Sequence, residues 1–334
     1  FKQKTAYEIM PSLVGSEMCI RDRLIALLLS VLVSAPISIT ANGAESIAFP
    51  SQEWSFNGPF GTFDRGELQR GFQVYIEVCS SCHSMQYLSY RNLSQPGGPE
   101  FSEQQAKIIA SQFEVTDGPN SDGEMFTRPA RLSDKFVSPY ANDEEAKASN
   151  GGAYPPDMSV LVKARKGGAD YMYSVLLGYE DPPSDIQLDD GVYYNKYMPG
   201  NKIKMSAPLS DGLVEYSDGT EATKEQMAKD ITTFLMWSAE PHLETRHKIK
   251  MQIDEMLIGC FYRQSKLNEA IDVIRNTGYI VPSSYPKMIL WAKIYANSGD
   301  RLTVQQILQR EDFEFNTLHK ALINSMLLRS EGEY

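Results

Sequence analysis

The sequence predicts a mainly α-helical domain with long irregular insertions, followed by a short all-α tail. Three observations lead to this prediction. The few strongly periodic segments have helical spacing, Gly/Pro clusters interrupt the chain between them, and the C-terminal part contains several short amphipathic segments. The irregular insertions therefore separate helices and do not connect the strands of an extended sheet.

The first predicted helix covers Arg65 to Val78 and leads directly into a cysteine. Leu68, Phe72, Tyr75 and Cys79 follow one another at spacings of four, three and four residues. This spacing places them on one face of a helix. We therefore expect this face to be buried and to carry Cys79 to the edge of a core.

Capping residues and terminating glycines predict three further helices before residue 250. Residues 157–166 and 170–177 each begin with an aspartate and end at glycine, as helices with an acidic cap and a glycine stop do. A Thr-x-x-Gln capping box, formed by Thr223 and Gln226, starts a helix that runs to about Ser238. The first two of these helices are expected to cover a pocket.

Four segments make up the predicted domain organisation. The apolar run 24–33 follows arginines and precedes a proline and small residues, which is the pattern of a secretory signal peptide. The residues before it lack the features of a targeting segment. The expected division is an adapter-like, non-native leader at 1–22, a signal peptide at 23–44, the main domain at 45–250 and a tail at 251–334.

Composition limits the classes of function. The net charge of -11 over 334 residues disfavours nucleic acid as a partner, because phosphate binding needs a basic surface. A basic protein partner fits better. The four cysteines are too few to hold a chain of this length together by disulfides, so they need a chemical explanation.

That explanation is the motif Cys79-Ser80-Ser81-Cys82-His83 at the end of the first helix. C-x-x-C-H attaches haem covalently through two thioethers, and the adjacent imidazole binds the iron. The competing interpretations are a redox-active C-x-x-C and half of a zinc site. Haem is favoured over both, because no second cysteine pair follows and only three other histidines exist in the chain.

A haem that carries electrons needs a second axial ligand, and the usual one is a methionine thioether. Two methionines are candidates. Met205 lies in an irregular segment before Ala207-Pro208, and Met198 lies just before Pro199-Gly200. Spacing alone does not decide between them.

Several colinear stretches between Trp54 and Lys250 resemble the cytochrome c1 family of bacteria and mitochondria. They include the run from Trp54 to Asp64, the haem motif and its flanks, and the segments 123–129, 150–157, 164–179, 197–208 and 234–241. The resemblance implies a cytochrome c-like haem domain. It also implies that Met205 is the sixth iron ligand and that Arg128 lies beside a haem propionate, with Tyr90, Phe126 and Tyr154 as candidates for the pocket wall.

The resemblance further implies a function. Such a protein is the electron-transfer subunit of a quinol:cytochrome c oxidoreductase, the cytochrome bc1 complex, with no catalytic acid, base or nucleophile of its own. Its partners are cytochrome b, the Rieske iron-sulfur protein and a soluble cytochrome c. It is exported to the periplasmic face of a bacterial inner membrane or, alternatively, to the intermembrane-space side of the mitochondrial one. The other open interpretations are another exported c-type haem protein, either a soluble carrier or a peroxidase, and a scaffold or RNA-binding adapter built on the tail.

The tail departs from this family, whose members continue into a transmembrane helix. Beyond Lys250 no stretch approaches the roughly 20 apolar residues that a membrane-spanning helix needs. Segments 256–275, 285–297 and 302–310 instead have the pattern of short amphipathic helices. They suggest either one helical-hairpin repeat, resembling the pentatricopeptide type, or a misjoined sequence.

Overall fold

The computed structural model describes residues 48–276, 285–309 and 317–330, which belong to one compact unit. The predicted leader at 1–22 and signal peptide at 23–44 lie outside the described residues. Within them, ten α-helices and two small two-stranded sheets are present. The predicted mainly α class is therefore confirmed.

The helices of the first part are short and separated by long irregular segments. They are α1 Arg65–Val74, continued by a π-helical turn at Tyr75–Cys79, then a 3-10 helix at Tyr90–Ser94, α2 Glu103–Ser111, α3 Asp143–Ser149, α4 Gly168–Leu177 and α5 Lys224–Ala239. The antiparallel sheets pair β1 Glu114–Asp117 with β2 Phe126–Pro129 and β3 Tyr193–Tyr194 with β4 Lys202–Ile203. The tail contains α6 Leu243–Arg263, α7 Leu267–Asn276, α8 Tyr285–Ser298, α9 Arg301–Leu308 and α10 Thr317–Ser330.

Helices α1 and α5 form the centre of the first core. They approach so closely at Gly71 that a Cβ atom there would lie 2.1 Å from the carbonyl oxygen of Asp230. Only glycine fits at such a contact, because any side chain would collide with backbone. Phe72 and Phe234 pack beside it with ring centroids 5.8 Å apart. The apolar face predicted for the first helix is therefore buried against α5.

Polar groups between the same two helices are paired. Arg70 binds the fully buried carboxylate of Asp230 through Nε and Nη2, at 2.9 and 3.0 Å. One turn away, Thr233 Oγ1 donates to Glu67 at 3.0 Å. Burial raises the pKa of Asp230, and the Arg70 guanidinium opposes that rise by binding the ionised form. The pairing fixes the register of α1 on α5.

The helix predicted at 157–166 is wrong. This segment forms a series of turns, in which Leu161 and Lys163 donate to carbonyls three residues earlier. Its first residues bind elsewhere, since the Met158 amide donates to the Ser84 carbonyl at 2.8 Å. In an α-helix the Ser159 carbonyl would accept from the Lys163 amide, but here it accepts from Ser238 Oγ at 2.9 Å. Local periodicity gives no sign of this contact.

The other helices of the main domain agree with their predicted positions. Helix α4 covers the predicted 170–177 and begins two residues earlier. Helix α5 starts after Thr223, whose hydroxyl accepts from the Gln226 amide at 3.1 Å. Thr223 is therefore confirmed as the cap. The predicted capping box does not form, because the Gln226 side chain donates to Asp230 Oδ1 at 3.0 Å and makes no bond with the Thr223 amide.

The tail has a hydrophobic core of its own. Ile258 from α6 packs there with apolar residues of α7 to α10, among them Met288 and Trp291. The helix predicted over 256–275 is wrong, because Ser265 has a φ of 59° and separates α6 from α7. Helix α6 is continuous across the predicted domain boundary at 250. In the described part of the chain, no helix combines the length and the apolarity required to cross a bilayer.

We expect Arg70→Met to lower the free energy of unfolding by about 3–5 kcal/mol, because it leaves the buried Asp230 carboxylate without a counterion. The loss should shrink as the pH falls, because the raised pKa of Asp230 lets it take up a proton and a protonated carboxyl needs no counterion. Urea unfolding at several pH values measures both effects. The control is Asp218→Asn, since the exposed Asp218 binds the same guanidinium and its removal should cost less than about 1 kcal/mol. Equal losses for both variants would contradict the assignment.

Candidate haem site

The two cysteines and the histidine of the motif lie on one turn at the end of the first helix. The π-helical turn at Tyr75–Cys79 continues α1, and the amide of His83 donates to the Cys79 carbonyl at 2.9 Å. The Cys82 amide approaches the same oxygen at 3.2 Å. Residues three and four positions apart on such a turn share one face. Cys79, Cys82 and His83 therefore act as one unit, which the structure brings together as predicted.

The two thiols are free, and each is partly buried. Burial raises the pKa of the Cys79 thiol to about 12, and the neighbouring Cys82 adds to the rise. Reactive thiols of redox C-x-x-C motifs have the opposite shift, because they are poised as thiolates. The local electrostatics therefore disfavour the redox interpretation.

His83 is held in the form that a metal ligand requires. Its Nδ1 lies 2.8 Å from the carbonyl oxygen of Pro156, which can only accept, so Nδ1 carries the proton. Burial lowers the pKa of His83, although the Pro156 carbonyl and Asp157 oppose that change. The ring is thus neutral at pH 7, and Nε2 presents its lone pair.

The segment that orients His83 also contacts the loop of the methionine candidate Met205. Pro156 accepts from His83 at one end of this segment, and at its other end the Gly151 carbonyl accepts from Lys204 Nζ at 3.1 Å. Lys204 directly precedes Met205. A single stretch of six residues, 151–156, therefore bridges the haem motif and the methionine loop.

The two candidate methionines have different surroundings. The Sδ atom of Met198 accepts a hydrogen bond from Tyr171 Oη at 3.5 Å. Met205 is instead held through its backbone, because its carbonyl accepts from Tyr179 Oη at 3.1 Å. That contact fixes the main chain at Met205. Met205 stays the predicted sixth ligand, and Met198 stays its alternative.

Arg128 lies on β2 and binds two carboxylates of the protein. Nε donates to Asp117, while Nη1 and Nη2 donate to Asp134 at 2.6 and 3.1 Å. Nη1 also reaches the Pro129 carbonyl at 3.0 Å, so four of the five N–H groups have protein acceptors. The guanidinium lowers the pKa of both aspartates. A haem propionate would therefore have to bind the remaining N–H group of Arg128 or share the other N–H groups with the two aspartates.

The three aromatic candidates for the pocket wall differ in exposure. Tyr90 is fully buried in the core, where it stacks on Phe113 and packs at a tilted angle against Phe136. Phe126 and Tyr154 are 42% and 45% exposed. Tyr90 is thus positioned by the core, whereas the other two rings lie at the surface.

Sequence reasoning did not identify the residues that orient the candidate ligands, namely Pro156, Tyr171 and Tyr179. All three act through contacts with residues far away in the chain. Pro155 and Pro156 belong to one of the Gly/Pro clusters of the chain, and such clusters indicate turns but no particular contact. No sequence pattern identifies the Pro156 carbonyl as the acceptor for His83, because the two residues are distant in the chain.

The donor set fits a covalently bound c-type haem. Two free thiols and a neutral imidazole share one turn, and the ring has its Nδ1 proton already bound to a carbonyl. Thioether formation uses thiols, and iron ligation uses Nε2 of a neutral ring. Over residues 48–276, 285–309 and 317–330, no group of three His, Cys, Asp or Glu side chains is arranged to hold a metal ion.

Comparison with known proteins agrees with this geometry. The profile of the "Cytochrome C1 family" matches residues 54–266, which is more than half of the chain. A cytochrome c1 of Arabidopsis thaliana mitochondria is 45% identical over 246 residues, covering 74% of this chain and 78% of that protein. Cytochrome c1 of Rhodospirillum rubrum is 43% identical over 243 residues, covering 66% of this chain and 88% of that protein.

A longer relative is similar over only part of its length. Cytochrome b/c1 of Bradyrhizobium diazoefficiens is 49% identical over 239 residues, which are 65% of this chain but 35% of that protein. The chain thus spans about a third of that relative. The matched region includes the C-x-x-C-H turn, the Pro156 segment and both methionine candidates. From the profile match and the identities, we conclude that the chain belongs to the cytochrome c1 family.

Proposed function

We propose that this chain transfers single electrons from the Rieske iron-sulfur subunit of a cytochrome bc1 complex to a soluble cytochrome c, through one covalently bound c-type haem. Cys79 and Cys82 would form the thioethers, and His83 and Met205 would be the axial ligands. The observation that carries the proposal is the C-x-x-C-H turn, with its histidine already oriented by Pro156. Membership of the family supports the electron-transfer role.

The groups of the chain would bind and orient the cofactor and would take no part in making or breaking bonds of a substrate. Haem supplies a one-electron couple when it is bound. Cys79 and Cys82 would fix its edge to the end of α1, which is itself held by α5. His83 and Met205 would both bind the iron, and the haem held in this way would carry electrons without oxygen chemistry. Tyr179 would hold the methionine loop through the Met205 carbonyl.

Partners and location follow from the family and from charge. A relative from Candida albicans is named a cytochrome b-c1 complex catalytic subunit, which supports assembly with cytochrome b and iron-sulfur subunits. The net charge of -11 favours a basic soluble carrier and disfavours nucleic acid. We place the chain on the periplasmic face of a bacterial inner membrane, with the intermembrane-space side of the mitochondrial inner membrane as the alternative.

The runner-up is another exported c-type haem protein, such as a soluble carrier or a peroxidase. A peroxidase needs an open axial position on the iron. Membership of the cytochrome c1 family supports the electron-transfer role over this alternative. The ligand field of the purified protein decides between these functions.

We expect Met205→Leu to convert a six-coordinate low-spin ferrous haem into a form that binds carbon monoxide readily, because it removes the thioether. The absorption spectrum with and without carbon monoxide measures this change. In the assembled complex, the variant should also lose most of its quinol-dependent reduction of cytochrome c. Met198→Leu is the matched control and should leave spectrum and electron transfer unchanged. An altered ligand field in Met198→Leu alone would reverse the assignment.

Replacing both Cys79 and Cys82 by serine should abolish covalent attachment, because each thiol forms one thioether. The intact mass of the denatured protein should lose the increment of one haem. Cys260→Ser is the control, since this third described cysteine is exposed on α6 and remote from the motif in sequence. A retained haem mass in the double variant, or an increment of two haems in the unaltered chain, would disprove the assignment.

Arg128→Gln should lower the reduction potential of the haem, because it removes a cation beside a propionate and frees the charges of Asp117 and Asp134. A redox titration measures the shift. Arg131→Gln is the matched control. Arg131 also lowers the pKa of Asp117 and Asp134 through its charge, but its side chain is exposed. If the two variants shift the potential equally, Arg128 acts only through its charge and not through a propionate contact.

A further inference from the structure

The carboxylate of Asp157 joins the residues after the haem motif to the segment that contains Pro156. Oδ2 accepts from Ser84 Oγ and from the Gln86 amide, both at 2.8 Å. Oδ1 accepts from the Ser159 amide at 2.9 Å. Ser84 directly follows His83, and Asp157 directly follows Pro156. The carboxylate therefore lies one residue from each partner of the hydrogen bond that orients the imidazole.

Further hydrogen bonds anchor this clasp, by which we mean residues 84–87 together with residues 156–159. The Met158 amide donates to the Ser84 carbonyl at 2.8 Å, and the Tyr87 amide donates to Ser159 Oγ at 3.1 Å. Ser159 is fully buried, and its carbonyl accepts from Ser238 Oγ of α5 at 2.9 Å. The clasp is thereby tied to the core helix.

Three donors converge on this one carboxylate, and they need an ionised group. Burial raises the pKa of Asp157, but hydrogen bonds from Ser159, Gln86 and Ser84 outweigh it and place the pKa below its usual value. An ionised carboxylate accepts on both oxygens, whereas a carboxamide has one acceptor oxygen and one donor nitrogen. Asparagine at position 157 could thus accept the hydrogen bonds of only one of the two carboxylate oxygens, and alanine could accept none of them.

We propose that Asp157 is a positioning residue for the axial imidazole: its carboxylate holds the Pro156 carbonyl against His83 Nδ1 and so tunes the electron donation of His83 to the iron. The inference rests on the proposed role of His83 as an iron ligand. A strong hydrogen bond from Nδ1 makes the imidazole a better donor, which favours the ferric state. If the Pro156 carbonyl is held less firmly, its hydrogen bond with Nδ1 is weaker and the ferrous state is favoured.

The test uses the holoprotein with Asp157→Asn and Asp157→Ala. We expect the reduction potential to rise in the order Asp, Asn, Ala, and the His83 Nδ1 proton to exchange with deuterium about tenfold faster in the alanine variant. Redox titration and proton magnetic resonance of the axial imidazole measure the two effects. Ser84→Ala removes one of the three donors and should shift both quantities by a smaller amount in the same direction. It covers the case in which the alanine variant fails to fold.

Asp143→Asn is the matched control for loss of charge. The carboxylates of Asp143 and Asp157 both raise the pKa of Tyr154, but Asp143 does not belong to the clasp. This control should leave the exchange rate of the His83 proton unchanged.

Unchanged exchange in Asp157→Asn and Ser84→Ala would overturn the positioning role. So would a potential that rises equally in Asp157→Asn and Asp143→Asn, because the effect would then be electrostatic only. In either case a retained six-coordinate spectrum leaves the proposed function intact. Loss of the His/Met spectrum in the unaltered protein would instead contradict the proposed function.

Discussion

The hydrogen bond between His83 Nδ1 and the Pro156 carbonyl is the contact on which the candidate site depends. It joins residues 73 positions apart and fixes the tautomer, the ring plane and the free nitrogen of the imidazole together. A C-x-x-C-H turn alone provides two thiols and a ring that can rotate. The Pro156 carbonyl converts this turn into an oriented ligand set, and the same segment reaches the Met205 loop through Gly151 and Lys204.

This contact requires a rigid support on both sides. The motif is held by α1, which packs on α5 through the close approach at Gly71 and the paired Arg70 and Asp230. The Pro156 segment is held by the same helix α5, because Ser238 donates to the Ser159 carbonyl. One helix therefore positions both partners of the hydrogen bond. A site with both sides on a common element keeps its geometry when the surface loops move.

The chain combines a family domain with a tail that is organised separately. The family profile ends at residue 266, close to the break between α6 and α7. Helix α6 belongs to both parts, because Leu243 is buried in the first core and Ile258 in the second. The haem motif and all residues proposed to act on it lie within the first part. The proposed electron-transfer role therefore rests on the matched region alone.

The helical class, the apolar face of α1, the cap at Thr223 and the C-x-x-C-H motif were predictable from the sequence, because each is a local pattern of spacing or side-chain chemistry. The family was predictable as well, through colinear motifs. Tertiary contacts were needed to show that residues 157–166 form turns, because the Ser159 carbonyl accepts from Ser238 and not from the Lys163 amide. The tertiary contacts also show that Met198 and Met205 have different hydrogen-bond partners and that Arg128 binds two aspartates. These outcomes depend on partners distant in the chain, and no local pattern encodes which distant atom a donor will meet.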